Sequence, residues 1–216
     1  MKRKLLSIGF LFYVLLILTV LSTGCASSPD AVTYSDRGFY LYLEGRYDEA
    51  IREFNRAIAI DGELFDAYYW LGETYFSKGD YDQAIANYTQ AIGLAPNDAD
   101  TFLSRGYVYE TIGDFDRAIA DYSQAIRIAP NDVYGYLSRG YVYEMKGDYD
   151  QAIADFTQVI RLDPNDAQAY FSRGYAYAEN GDYDQAIADF ETALILDPEN
   201  ERIRELVESA WHIWGW

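Results

Sequence analysis

The distribution of apolar and polar residues divides the chain into three parts. Residues Leu5 to Leu21 are almost continuously apolar, with Ser7, Gly9 and Thr19 as the only interruptions. From residue 31 to residue 200, the pattern of apolar and polar positions returns with a period of 34 residues. Such a period indicates a repeat architecture rather than a single globular core. Residues 201–214 leave the period, but their apolar side chains recur at helical spacing.

The repeating part consists of five consecutive copies, each predicted to form two short helices, A and B. The copies are Ala31–Leu64, Phe65–Asp98, Ala99–Asp132, Val133–Asp166 and Ala167–Asn200. In the fourth copy, the sequence Tyr136-x₂-Arg139-Gly140-x₂-Tyr143 is followed by Ala152-x₃-Phe156 and then by Pro164. The other copies repeat this order, although the first has Leu41 at the last aromatic position of helix A and Gly62 in place of proline.

This order resembles the tetratricopeptide repeat (TPR) pattern, W-x₂-L-G-x₂-Y…A-x₃-F…P. The resemblance implies an all-α fold, a right-handed α-solenoid of five TPR helix pairs. Residues 201–216 are expected to add a C-terminal capping helix with Ile203, Leu206, Val207, Ala210 and Trp214 on its apolar face. We expect Trp211 and Trp214 to be buried, whereas the position of Trp216 stays open.

Glycine, aspartate and proline predict the ends of the helices. A Gly-Asp pair is expected to end helix A in a positive-φ residue and to cap helix B with the carboxylate, as at Gly79 and Asp80. Proline two or three residues beyond helix B stops it. A glycine inside each helix A, such as Gly140, predicts close approach of helix B, with alanines such as Ala152 as the small partners.

A second pattern couples helix A to helix B. Four copies carry arginine where many TPR sequences have leucine, and a carboxylate follows sixteen residues later. The second copy has Leu71 and the uncharged Asn87 at the same two positions. Because a helix hairpin brings these positions together, we predict four structural ion pairs: Arg37 with Glu53, Arg105 with Asp121, Arg139 with Asp155, and Arg173 with Asp189.

The resemblance also implies a binding surface, since helix A lines the concave face in TPR proteins. The expected groove is a ladder of aromatic rings edged by carboxylates, formed by Phe39, Tyr69, Glu73, Tyr107, Glu110, Tyr141, Glu144, Phe171 and Tyr175. Large, stiff tyrosine rings with a polar tip are well suited to contact a partner. The alternative is that these rings only pack helix against helix.

The N-terminal segment predicts a location. Lys2, Arg3 and Lys4 precede the apolar stretch, and small residues follow it, the layout of a secretory signal peptide. The sequence Leu21-Ser22-Thr23-Gly24-Cys25 resembles the lipobox of bacterial lipoproteins. The resemblance implies a signal peptide over residues 1–24, lipidation of Cys25 and a short tether over residues 25–30. An uncleaved signal anchor is the alternative.

Composition narrows the function. The chain has 35 acidic against 17 basic side chains, a net charge of -18, which argues against nucleic acid as a partner. One cysteine and one histidine, His212, leave little material for a catalytic or metal site, so we expect no enzyme and no cofactor. We therefore predict a membrane-anchored interaction scaffold or assembly factor of the bacterial cell envelope that binds a basic or amphipathic protein segment. The alternative is a subunit that handles a hydrophobic small molecule for transport.

Overall fold

Over residues 29–214, the part of the chain that the computed structural model describes, eleven α-helices follow one another through short turns. They are α1 Ala31–Leu43, α2 Tyr47–Ile60, α3 Phe65–Lys78, α4 Tyr81–Leu94, α5 Ala99–Thr111, α6 Phe115–Ile128, α7 Val133–Lys146, α8 Tyr149–Leu162, α9 Ala167–Asn180, α10 Tyr183–Leu196 and α11 Glu201–Trp214. Successive pairs pack on each other and on the next pair, so the all-α solenoid expected from the pattern is confirmed.

The turn from helix A to helix B uses glycine as predicted. Gly79 has a φ of 79°, a left-handed conformation that a side chain disfavours, and its N–H donates to the Phe76 carbonyl. The predicted aspartate caps of helix B are present in only half of the cases. Asp80 and Asp114 accept backbone N–H groups of Gln83 and Arg117, whereas the Asp148 and Asp182 side chains make no such bond.

Aspartate also caps the N-terminus of helix A, which the sequence analysis does not predict. Asp98 accepts the Thr101 N–H at 2.9 Å, and Asp166 accepts the Ala169 N–H at 3.0 Å. Asp30 makes the same contact with Thr33. These caps satisfy N–H groups that have no partner within the helix.

The glycine inside helix A allows the close approach of helix B that the sequence predicts, and the nearest atoms of helix B there belong to an aromatic ring. A Cβ added at Gly140 would lie 2.8 Å from Cε1 of Phe156, and the other four copies show the same approach. The five rings are at most 2 % exposed: Phe54, Tyr88, Tyr122, Phe156 and Phe190. The alanines expected as small partners, such as Ala152, are buried beside these rings. The central packing unit of each copy is therefore a glycine with the ring sixteen residues later.

Helix α11 covers the last repeat. Ile203 and Val207 are buried and pack with Phe190 and Ala193 of α10 and with Ala178 of α9. The side chains of Leu206, Ala210, Trp211 and Trp214, and all of Trp216, lie outside the described residues. Among the described side chains, Ile203 and Val207 are therefore the ones that pack the cap on the last repeat.

The N-terminal predictions also lie outside the described residues. They concern the signal peptide over residues 1–24, the lipidation of Cys25 and the tether up to residue 28. Among the helices of residues 29–214, none combines the length and the apolar character that crossing a membrane requires.

Candidate binding groove

Two of the predicted groove residues, Glu73 and Tyr107, line a cavity of about 370 Å³ between the second, third and fourth copies. Helices α3, α5 and α7 supply one wall each, and the B helices α4 and α6 supply the floor. The apolar and aromatic lining residues are Phe76, Tyr88, Leu103, Tyr107, Tyr122 and Tyr134. Its other polar residues are Ser104 and Ser138. Tyr107 is 52 % and Tyr134 65 % exposed, so both rings stand at the open side.

Buried tyrosine hydroxyls on the floor of this cavity are directed at carboxylates. The Tyr88 hydroxyl donates to Oε1 of Glu73 at 2.7 Å. One copy later, the Tyr122 hydroxyl donates to Oε2 of Glu110 at 2.6 Å. Burial, and next to it the neighbouring glutamate, raises the pKa of each of these tyrosines. Both hydroxyls therefore keep their protons, and both glutamates are held at the groove as hydrogen-bond acceptors.

The fourth copy lacks this arrangement. Glu144 stands where the third copy has Glu110, but Phe156 replaces Tyr122 and offers no hydroxyl. Burial, followed by repulsion from Glu179 on α9, raises the pKa of Glu144 to about 7. Near neutral pH, the groove thus contains one carboxyl group that is only partly ionised.

The remaining groove residues divide between packing and exposure. Phe39 packs on Trp70 with ring centroids 4.5 Å apart, and Phe171 packs on Phe190 at 5.5 Å. Tyr69 contacts Trp70 edge to face.

Tyr141 packs on Phe156 at 5.3 Å and accepts a hydrogen bond from Ser172. Tyr175, 40 % exposed, has an accessible ring, like Tyr107. The predicted ladder is therefore largely a packed wall, from which Tyr107 and Tyr175 project.

A larger depression, of about 510 Å³, lies at the turn between α5 and α6. Its charged side chains are paired with one another, Arg117 with Asp114 and Lys146 with Asp116. Because these charges are already neutralised by partners, the cavity on the helix-A side is the stronger candidate.

Three of the predicted ion pairs are present and hold each copy together. In each, Nε and Nη2 of the arginine donate to the two carboxylate oxygens at 2.7–2.8 Å: Arg105 with Asp121, Arg139 with Asp155, and Arg173 with Asp189. The three aspartates are buried. Hydrogen bonding to the aspartate raises the pKa of Arg139 and of Arg173, so the guanidinium stays charged.

Each of these arginines also reaches the preceding copy. The Nη1 of Arg105 donates to the hydroxyl of Thr89, that of Arg139 to Ser123, and that of Arg173 to Thr157. The sequence reasoning missed this contact, although a hydroxyl stands sixteen residues before each arginine. One guanidinium thus joins two consecutive copies.

The predicted pair of Arg37 with Glu53 is wrong. Glu53 instead accepts a hydrogen bond from Arg56, one helical turn further along α2, at 2.6 Å. Arg37 lies over the ring of Tyr34. Glutamate is one methylene longer than the aspartate of the other copies, so its carboxylate extends toward a helical neighbour.

Comparison with known proteins agrees with this architecture. Residues 40–79, 72–113 and 111–147 match the TPR repeat family, and residues 137–201 match a further family described as tetratricopeptide repeat. The chain therefore belongs to the TPR family, whose repeats generally form non-catalytic scaffolds for protein interaction. No curated protein matches the sequence.

Solved structures share the fold. The crystal structure of the protein MamA is 27 % identical, with a TM-score of 0.73 over 80 % of this chain and 94 % of that one. YrrB, described as a TPR protein with an unusual peptide-binding site, is 22 % identical, with a TM-score of 0.72 over 83 % and 92 %. A thermophilic TPR protein of Thermus thermophilus is 25 % identical, with a TM-score of 0.56 over 83 % and 98 %. The likeness to YrrB shows the fold alone.

Proposed function

We propose that this protein is a non-catalytic interaction scaffold that binds a segment of another protein along its helix-A groove. The observation that carries the proposal is the open cavity with two exposed tyrosines, Tyr107 and Tyr134, beside two carboxylates held by buried hydroxyls. Aromatic rings with polar tips are typical of protein interfaces. The carboxylates favour a basic or amphipathic segment through charge complementarity.

The second part of the proposal is a lipid anchor at Cys25 that holds the solenoid at a membrane of the bacterial cell envelope. It rests on the lipobox-like sequence and on the basic and apolar residues before it. Two or more acyl chains are needed for stable anchoring, which lipoproteins of this type carry. In that position the protein would recruit or orient a component of an envelope assembly.

One observation supports the alternative, a subunit that handles a small hydrophobic ligand. The cavity of about 370 Å³ falls at the lower end of the volumes that small-molecule sites have, about 300–1,000 Å³. Its exposed aromatic rings and its carboxylates are better suited to a peptide side chain, and we therefore prefer the scaffold.

A photo-reactive phenylalanine in place of Tyr107 tests the scaffold in native membranes. We expect it to cross-link one protein, with the attached peptide identified by mass spectrometry. The control is the same residue in place of Ile195, which is 78 % exposed on α10. Equal cross-linking at both positions, or lipid alone attached at 107, would contradict the scaffold.

Palmitate labelling tests the anchor. We expect labelling of the natural protein and none of the Cys25→Ser variant. Equal labelling of both would exclude the lipoprotein.

A further inference from the structure

The cavity between the second, third and fourth copies has an unusual arrangement of hydrogen-bond donors. The hydroxyls of Tyr88 and Tyr122 each commit their single proton to a glutamate. Because a hydroxyl has one proton and two lone pairs, both tyrosine oxygens then remain only as acceptors. The Ser104 and Ser138 hydroxyls, which also line the cavity, hydrogen-bond to these two tyrosines. The charged acceptor of the lining is therefore Glu73, and the lining residues include no lysine or arginine.

The walls of the cavity are aromatic. Phe76 and Tyr107 pack with ring centroids 5.4 Å apart, and Tyr107 and Tyr134 are exposed at the opening. A ring face is negatively polarised and attracts a cation that lies over it. The walls and the floor thus favour the same kind of occupant, one that is positively charged and partly apolar.

We infer that this cavity is the seat for one guanidinium side chain of the partner, an arginine flanked by tyrosine rings and hydrogen-bonded toward Glu73. The inference rests on the proposed scaffold function and specifies its partner. Arginine fits better than lysine, because its planar group is weakly hydrated, stacks on aromatic rings and donates two parallel hydrogen bonds to a carboxylate. A purely apolar side chain would cover the Glu73 carboxylate without supplying a donor, which is costly.

The internal comparison between copies supports this position for the seat. In the third copy, Tyr122 fixes Glu110 at the groove, whereas in the fourth copy Phe156 leaves Glu144 without that hydroxyl. Only the second and third copies therefore present carboxylates held in a fixed orientation by a buried donor. Of these two carboxylates, Glu73 lines the cavity, so it is the one placed to accept hydrogen bonds from a guanidinium group.

The experiment uses the full-length protein in non-ionic detergent with ¹⁵N-labelled backbone amides. The probes are blocked arginine (the N-acetyl, C-methylamide derivative), the matching citrulline compound and the matching lysine compound. Citrulline keeps the shape of arginine but has no charge. We expect arginine to shift the amide signals of Ser104, Tyr107 and Ser138, and to bind about tenfold more tightly than citrulline, since hydrogen bonds to charged partners are the stronger ones.

The matched variants are Glu73→Gln and Glu63→Gln. Both remove one negative charge, but glutamine at position 73 can still accept the Tyr88 hydroxyl, so the packing is kept. Glu63 is exposed in the turn after α2. We expect roughly a tenfold loss of arginine binding for Glu73→Gln and no loss for Glu63→Gln.

Equal binding of arginine and citrulline, equal effects of the two variants, or signal shifts confined to other helices would overturn the inference. Its failure is distinguishable from that of the scaffold. If a protein is cross-linked through residue 107 but the cavity shows no preference for arginine, the scaffold proposal stands and the guanidinium seat is rejected. Arginine binding at the cavity, with no protein cross-linked there, rejects the scaffold instead.

Discussion

Arg139 and Asp155 lie sixteen residues apart and are joined by two parallel hydrogen bonds, of 2.8 and 2.7 Å. The aspartate is 4 % exposed, so its charge depends on the guanidinium for compensation. Breaking a buried pair at one end is costly because a buried charge is left alone, although the intact pair adds little net stability.

Removal of one partner of this pair should destabilise the protein strongly. We expect Arg139→Leu to lower the free energy of unfolding by about 3 kcal/mol, measured by urea denaturation. The double variant Arg139→Leu, Asp155→Asn reproduces Leu71 and Asn87 of the second copy and should recover much of that loss. If the two changes add without coupling, the pair has no energetic role.

The glycine inside helix A should not tolerate a methyl group. In Gly140→Ala the new Cβ meets Phe156 at 2.8 Å, so we expect a loss of about 1–3 kcal/mol of unfolding free energy, despite the better helix propensity of alanine.

Gly93→Ala is the matched control, because Gly93 also lies in a helix and has no neighbouring atom within 4 Å of a new Cβ. That variant should be more stable by about 0.5–1 kcal/mol. Equal effects of the two substitutions would show that the ring of Phe156 does not set the cost.

Glu144 should make stability depend on pH. Its pKa is raised to about 7 in the folded protein, above the value of an ordinary glutamate, so the folded state binds more protons. The stabilisation is then complete below the unfolded pKa and is lost as the pH rises through about 7. We expect Glu144→Gln to raise the melting temperature at pH 8 and to change it less at pH 5.

A companion variant tests the cause of this shift. Phe156→Tyr places a hydroxyl where Tyr122 stands in the third copy, and donation to the carboxylate should lower the pKa of Glu144. The carboxyl ¹³C signal of Glu144, followed through a pH titration, reports the change. An unaltered titration would mean that the missing hydroxyl is not what separates Glu144 from its counterpart Glu110.

The C-terminal cap should depend on its buried isoleucine. Ile203 is 2 % exposed, and Ile203→Ala is expected to cost about 2–5 kcal/mol and to release α11 to proteolysis first. Ile195→Ala, at a residue 78 % exposed on α10, should change the unfolding free energy by less than about 0.5 kcal/mol. Similar losses for both would argue against a cap that is held by packing.

The sequence predicted a structural feature correctly where a residue type at a given spacing has a single structural role. Gly79 requires a positive φ, and Pro96 follows the end of α4 at Leu94, so the helix boundaries were predictable. The co-occurrence of arginine and carboxylate predicted three contacts correctly. The prediction was wrong for Glu53. The spacing of sixteen residues took no account of Arg56, which lies one turn away on the same helix and binds Glu53 instead.

The groove was less predictable, because the spacing does not separate a packed ring from an exposed one. Phe39 and Tyr107 share one register of helix A, yet Phe39 packs on Trp70 while Tyr107 is exposed. The difference comes from residues outside the TPR pattern, such as Trp70. Likewise, the hydrogen bond from Tyr88 to Glu73 spans 15 residues, whereas the one from Tyr122 to Glu110 spans 12. No single spacing in the repeat could therefore predict both.

The arginine that joins consecutive copies determines which contacts a further copy would have to make. Arg105, Arg139 and Arg173 each bind a hydroxyl of the copy before and an aspartate of their own copy. A duplicate of residues 99–132 placed after the third copy would find every donor and acceptor of this kind already matched on both sides. The solenoid can therefore be lengthened in units of one copy while these arginine contacts are kept, a property that the first copy, in which Glu53 pairs with Arg56, does not share.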